Sequence, residues 1–175
     1  MHSAYSLAES TLRIKSLSRL IADDHQPAAA ITDTNNMFGA MEFAQTLIGV
    51  GIKPIMGTQL NLEDTKGQGE IVLLAQTDLG YTNLSKLLSK TLLETEAAHD
   101  PSCSLDDLKM HAEGLILLSG GALAGFLGAP AGDGRPALAA ARADQLAAIF
   151  GDRFYIELQR HGLGVESTAD RKSVV

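Results

Sequence analysis

Tryptophan is missing from this chain, cysteine occurs once, and the other aromatics are three Tyr and five Phe. Aliphatic side chains must therefore fill the core. The single Cys103 excludes an internal disulfide and a thiolate zinc site, and it fits a reducing compartment. Basic residues are also scarce. Lys and Arg number 14 against 21 Asp and Glu, a formal charge of −7. That deficit argues against the chain holding nucleic acid by itself, because phosphate binding draws on an excess of Lys and Arg. No apolar run is long enough to cross a bilayer, and the N-terminus lacks the basic segment and apolar run of a signal peptide. Neither Gly-x-x-x-x-Gly-Lys-Ser/Thr nor Gly-x-Ser-x-Gly occurs, which removes a P-loop and a hydrolase elbow. Gly120 to Gly125 lacks the Gly-x-Gly opening of a dinucleotide site, so a tight strand-to-helix turn explains it more simply.

What is present is 175 residues, 45% hydrophobic and 20% charged, enough for one globular domain with a sizeable core. The stretch Ala28-Ala29-Ala30-Ile31-Thr32-Asp33-Thr34-Asn35-Asn36 organises the reading. A short apolar run ends in a polar cluster, and a helical pattern follows in which Met37, Ala40, Met41 and Phe43 can share one side. That predicts a buried strand, a loop at its C-terminal end and a helix facing the same loop. In α/β folds chemistry sits at such strand ends, which makes Asp33 a candidate. Asp33, Asn35 and Asn36 would equally serve a helix start or an Asx-turn.

The rest of the chain alternates in the same manner. Spacing predicts a helix over 12–23, with Ser10-Thr11 as a candidate cap and Pro27 as its stop. A second strand runs from Gly51 to Leu62 with Pro54 near its start, a polar turn from Glu63 to Gly69 follows, and Glu70–Ala75 is a third strand. Thr77-Asp78 caps a long helix with Tyr81, Leu84, Leu87, Leu88 and Leu92 on one face. His99–Ser104 reads as a loop, and Leu105–His111 as a short helix capped by Ser104. Gly114–Gly121 reads as a strand ending in a glycine turn, Gly128–Pro136 as an exposed loop, Ala137–Phe150 as a helix, and Asp152–Gln159 as a last strand. The order favours parallel strands and suits a barrel or an open doubly wound sheet. Three polar strand ends stand out, Asp33, Gln59 and His161, and with His2 they form the site hypothesis. The plainer alternative is a frayed His2, an ordinary amide at Gln59 and a capping His161.

Five blocks then occur in register: His2-Ser3-Ala4-Tyr5-Ser6, Ile31 to Gly39, Gly51 to Gly57, Leu73-Leu74-Ala75 with Gly80-Tyr81-Thr82-Asn83-Leu84, and Glu113 to Gly121. Together they resemble the N-terminal polymerase-and-histidinol-phosphatase (PHP) domain of bacterial DNA polymerase III alpha subunits. The resemblance extends to about Gly162 and implies a distorted seven-stranded β/α barrel with a metal cluster at the strand ends. It implies an incomplete barrel here, a PHP-like domain over 1–163 cut short on both sides, and an unstructured or truncated tail over 164–175.

Carried over residue by residue, the resemblance puts His2 on the second His of a His-x-His pair and Glu9 where the family often has Asp. Asp33 matches the Asp of Thr-Asp-His, with Thr34 in place of the His. Gln59 stands for a glutamate, Glu70 for a His, and Gly121 for a Cys, while His161 matches the His of Gln-x-His. His2, Asp33 and His161 are thus the ligands to expect if metal is retained, and four positions have lost good donors. The resemblance implies no cofactor in this stretch, Zn or Mn if the site is active, and Mg in the polymerase domain. The partners it implies are the remainder of the alpha chain, the proofreading exonuclease (epsilon) subunit and the replicase holoenzyme. DNA is met only through the full-length protein, no membrane is involved, and the location is the bacterial cytoplasm. Two functional expectations follow. One is a catalytically silent scaffold that stabilises the polymerase and docks the exonuclease. The other is an active metal-dependent 3′–5′ exonuclease or phosphoesterase.

Overall fold

The computed structural model describes residues 1–96, 99–159, 162, 164 and 166. Helix α1 (Ile14–Asp23) precedes strand β1 (Ala28–Ile31), helix α2 (Ala40–Ile48) and the long strand β2 (Lys53–Asp64). Strand β3 (Gly67–Ala75), helix α3 (Asp78–Glu94), strand β4 (Ser102–Ser104) and helix α4 (Leu105–Met110) come next. Strand β5 (Leu115–Leu118), helices α5 (Gly128–Gly132) and α6 (Pro136–Phe150), and strand β6 (Phe154–Tyr155) complete the order.

The strands form an open, curled, mixed sheet in the order β1-β2-β3-β5-β6, with β4 paired to β2. This is a half-barrel of α/β type, in keeping with the incomplete β/α barrel expected. The expectation of parallel strands is corrected in part. β1 and β4 run parallel to β2, and β6 parallel to β5, but β2–β3 and β3–β5 are antiparallel. The reason is the turn. Only Thr65 and Lys66 separate β2 from β3, too few for a crossover, and Asp64 Oδ1 accepts from the Lys66 backbone N–H at 2.7 Å to close a hairpin.

β2 carries the architecture because it is long enough to serve both edges. One edge pairs with β3 from Gly57 to Asp64. The other meets β1 over Lys53–Met56, then Thr34 at Gln59, then β4 over Asn61–Glu63. Thr34 opposite Gln59 continues the register of Ala28 opposite Lys53, so the polar cluster after β1 stays tied to the sheet.

Two apolar clusters result. Leu60, Leu62, Ile71, Leu73, Leu84, Leu87, Leu115, Leu117, Phe126 and Phe150 share the larger, and α1 packs through Ile14, Leu17 and Ile21 against Phe43 and Leu47 in the smaller. The Thr77 hydroxyl caps α3 by accepting from the Gly80 N–H, and Ser104 caps α4 through the Asp107 N–H, both as predicted. Gly80 has a steric reason, since a Cβ there would lie 1.9 Å from the Gly114 carbonyl oxygen. That close approach seats α3 against the start of β5.

Other expectations are corrected. Met41 is 69% exposed, while Ala40 and Phe43 are buried, because the helical pattern places Met41 on the outer side of α2. Tyr81 and Leu92 likewise stand exposed on α3, where only Leu84, Leu87, Leu88 and the small Gly80 and Thr91 meet the core. The side chains of Ser10 and Thr11 do not cap α1. Arg13 is its N-cap, with no side-chain bond. Ser102–Ser104 extends into β4 because β2 offers a free edge there. Gly128–Gly132 is a short helix with Pro130 and Ala131 buried, not an exposed loop. The last strand shrinks to Phe154–Tyr155, because Gly151–Arg153 forms a 3-10 turn before it and its partner β5 ends at Leu118, opposite Tyr155. The tail, apart from residues 164 and 166, lies outside the described residues, as do the domain's proposed end at 163 and His161.

Candidate functional site

The C-terminal end of β1 holds Asp33, which is buried. Its carboxylate accepts three hydrogen bonds from the N-terminal segment. The Ser3 backbone N–H donates to Oδ1 at 2.6 Å, the Ser3 hydroxyl to Oδ2 at 2.7 Å, and the Ser6 hydroxyl to Oδ1 at 2.7 Å. Asp33 therefore binds residues 3–6 across the strand end. Ser6 Oγ also accepts from the Thr34 N–H at 3.1 Å. Thr32 adds a backbone bond from its N–H to the Met1 carbonyl at 2.8 Å.

Beside Asp33 lies a second cluster. His2 Nδ1 is 2.8 Å from Glu9 Oε2, and His2 Nε2 is 3.2 Å from Gln59 Oε1. The same Glu9 oxygen accepts from the Thr34 hydroxyl at 2.6 Å. Two proton arrangements satisfy this geometry. An imidazolium donates to both neighbours, or a neutral ring donates from Nδ1 to Glu9 while the Gln59 amide, flipped, donates to Nε2. Either way both ring nitrogens of His2 are engaged. Thr58, one residue before Gln59, donates to the Asp33 carbonyl at 2.7 Å and holds the two strand ends together.

Glu70, on β3, pairs with Asn61, two residues after Gln59, and so lies on the same face of the sheet as Gln59. Burial pushes its carboxyl above the usual glutamate range. Glu9 and Glu157 push the same way, and His2 pulls it down. The Met1 ammonium has its pKa lowered by burial, against the opposing pull of Asp33 and Glu157. Gly121 lies after β5, and a Cβ placed on it would meet the Gln159 amide at 2.4–2.8 Å. Gln159 Nε2 donates to Glu157 Oε1 at 2.8 Å, and the Glu157 N–H donates to Ser119 Oγ at 2.9 Å.

The structure thus gathers His2, Glu9, Thr34 and Gln59 through direct bonds, sets Asp33 behind them, and brings Glu70 within their field. Gly121 belongs to the wall occupied by Gln159. Sequence reasoning missed Ser3, Ser6, Glu157 and Gln159. Ser3 and Ser6 carry no local signal, because their partner is 27–30 residues away. Among the described residues no three His, Cys, Asp or Glu side chains are grouped so as to hold a metal ion.

A sequence model of the PHP domain matches residues 1–161. The chain belongs to the PHP family. This PHP domain is 36% identical over 178 residues to the DNA polymerase III subunit alpha of Caulobacter vibrioides, covering 97% of the chain and 16% of that protein. It is 36% identical over 163 residues to the subunit of Pseudomonas aeruginosa, covering 91% and 14%. It is 35% identical over 180 residues to that of Thermus aquaticus, covering 93% and 14%. The PHP domain matches the N-terminal region of such subunits and spans only about one-seventh of their length. A solved structure of a Bifidobacterium adolescentis protein shares the fold, with a TM-score of 0.61 at 13% identity over 98% of this chain and 82% of that one. No helix among the described residues is long and apolar enough to cross a membrane.

Proposed function

We propose that this PHP domain, over 1–163, serves DNA replication in the bacterial cytoplasm as the N-terminal part of a polymerase III alpha subunit. In this reading it is a metal-poor scaffold that supports the polymerase and docks the proofreading exonuclease subunit. The observation that carries the polymerase assignment is 36% identity over nearly the whole chain to alpha subunits. The scaffold assignment rests on donor chemistry. Zn or Mn in a multinuclear site needs several anionic or imidazole donors with free lone pairs. Thr34 and Gln59 supply neutral oxygens, Gly121 supplies none, and the Asp33 carboxylate is spent on three protein donors. Those residues do not fit such a cluster, and no reaction step is assigned to them. Nucleotide transfer, with its Mg, belongs in this reading to the remainder of the alpha chain, which also meets the DNA.

The test is direct binding of the purified chain to the purified exonuclease subunit by biolayer interferometry. Saturable association at micromolar or lower concentration is expected. No association with a folded exonuclease sinks the docking role.

A further inference from the structure

We infer that the strand-end site of this chain is closed by its own side chains: Gln59 with His2, Glu9 and Thr34, and Gln159 with Glu157, form two hydrogen-bonded groups that together plug the place where the family resemblance puts metal. The inference rests on the metal-poor reading above and adds what replaces the cation.

An imidazole binds metal through a ring-nitrogen lone pair. In His2 one nitrogen is held by Glu9 and the other by Gln59. Glu9 Oε2 is shared between His2 and the Thr34 hydroxyl, so Thr34 presents a proton donor to the carboxylate that a metal would otherwise use. From the opposite wall the Gln159 amide fills the space over Gly121, and it is held there by Glu157. Strand β3 joins the two groups: Val72 pairs with Gln59 on one side and with Leu118 on the other, and a Cβ on Gly120, next to Gly121, would lie 2.3 Å from the Glu70 carbonyl oxygen.

The plug also does the connecting work of a cation. It ties the N-terminal segment, through His2 and Glu9, to the end of β2 and to the residue after Asp33. Its other half places the segment after β6 against the turn after β5. One consequence is specific to this chain. The missing side chain at 121 and the Gln159 amide are alternatives for one volume, so a ligand rebuilt at 121 must first displace the Gln159 amide from Glu157.

The experiment compares two variants of the chain by zinc calorimetry. Both carry Thr34→His, Gln59→Glu and Gly121→Cys, and one adds Gln159→Ala. The variant with Gln159→Ala is expected to bind Zn²⁺ at least about tenfold more tightly than the variant that keeps Gln159, a difference of about 1.4 kcal/mol. Equal affinities overturn the plug. The unaltered chain is titrated in parallel, with the His2 ring nitrogens followed by NMR. Zn²⁺ is expected to leave those signals in place, and movement at near-stoichiometric metal overturns both the plug and the metal-poor reading. Should the multiple variants fail to fold, Gln59→Glu and Gln159→Ala are tested singly by the same NMR titration. Zn²⁺-dependent movement of His2 in Gln59→Glu but not in the unaltered chain is expected, and no difference counts against the plug. Loss of exonuclease binding is a separate outcome that leaves the plug standing.

Discussion

Three donors converge on Asp33, and because the residue is only 1% exposed each of them counts. Replacing it by Ala strands the Ser3 N–H and two hydroxyls in a buried position. Hydrogen bonds to a charged group contribute about 1.5–3 kcal/mol each, and buried donors left unmade cost about 1–3 kcal/mol. Relaxation of the N-terminal segment returns part of that loss. Asp33→Ala should therefore lower stability by about 2–4 kcal/mol in urea unfolding. Asp33→Asn should recover little, because its amide NH₂ meets donors where the carboxylate offers acceptors. A loss below about 1 kcal/mol for Asp33→Ala would show that residues 3–6 are held by something else. The sequence marks Asp33 as special by its place at a strand end, but its task could not be read there. A carboxylate before a polar cluster suits a metal, an Asx-turn or a helix cap alike. The structure adds the return of Ser3 and Ser6 to the Asp33 carboxylate across 27–30 residues, a contact that no local pattern announces.

Between elements, one fastening comes from a residue that looks ordinary in an alanine-rich helix. Arg142 on α6 is 3% exposed. Its Nε and Nη2 donate to the two Asp64 oxygens at 2.9 Å each, Nη1 donates to the Phe126 carbonyl at 2.9 Å, and Nη2 also donates to the Gly67 carbonyl at 3.0 Å. The guanidinium lies 4.0 Å from the Phe126 ring centroid. One side chain thus clamps the tip of the β2–β3 hairpin to α6 and to the segment before α5. Arg142→Ala removes one partner of a buried pair and should cost about 3–5 kcal/mol, measured by urea unfolding. Arg142→Lys should restore little, since one ammonium cannot match the fork. The double change Arg142→Met with Asp64→Leu should regain most of the loss, because no unpaired charge remains. If the double change is no better than Arg142→Ala, the clamp is not the source of the stability. Element existence was legible from periodicity and turn residues: α1, α2, α3, α4, α6, β1, β2, β3 and β5 all stand near their predicted spans. Strand direction was not, because a two-residue hairpin and a longer polar turn have the same composition. The α5 helix was hidden for a related reason. Glycine and proline read as loop unless burial of Pro130 and Ala131 offsets their poor propensity.

Across the whole molecule these acids respond to pH in opposite senses, and the difference makes the last prediction. The Arg142 hydrogen bond, as the largest cause, holds Asp64 below the usual carboxylate range. Its contribution is present above the unfolded value of 3.8 and is lost as pH falls through the lower folded value. Glu70 behaves the other way. Burial raises it first, Glu9 and Glu157 add to that, and His2 opposes. The folded state then holds the Glu70 proton more tightly than the unfolded chain, so stability falls as pH rises from 4.5 through the folded value. Above that window the folded chain carries a crowded charge on a molecule whose net charge is already −7. Glu70→Gln should therefore raise the urea midpoint at pH 7, and the gain should vanish at about pH 3.5, where Glu70 is protonated in both states. Comparing the two curves isolates Glu70 from the Met1 amino group, whose pKa burial lowers, and from Asp64. Added salt should shrink the part of the gain that comes from Glu9 and Glu157, and leave the part that comes from burial. A gain that persists unchanged at pH 3.5 would mean that the introduced amide stabilises through a new hydrogen bond and not through the removed charge. No gain at pH 7 would mean that the Glu70 carboxylate is better solvated at the strand ends than its place beside Glu9 and Glu157 implies.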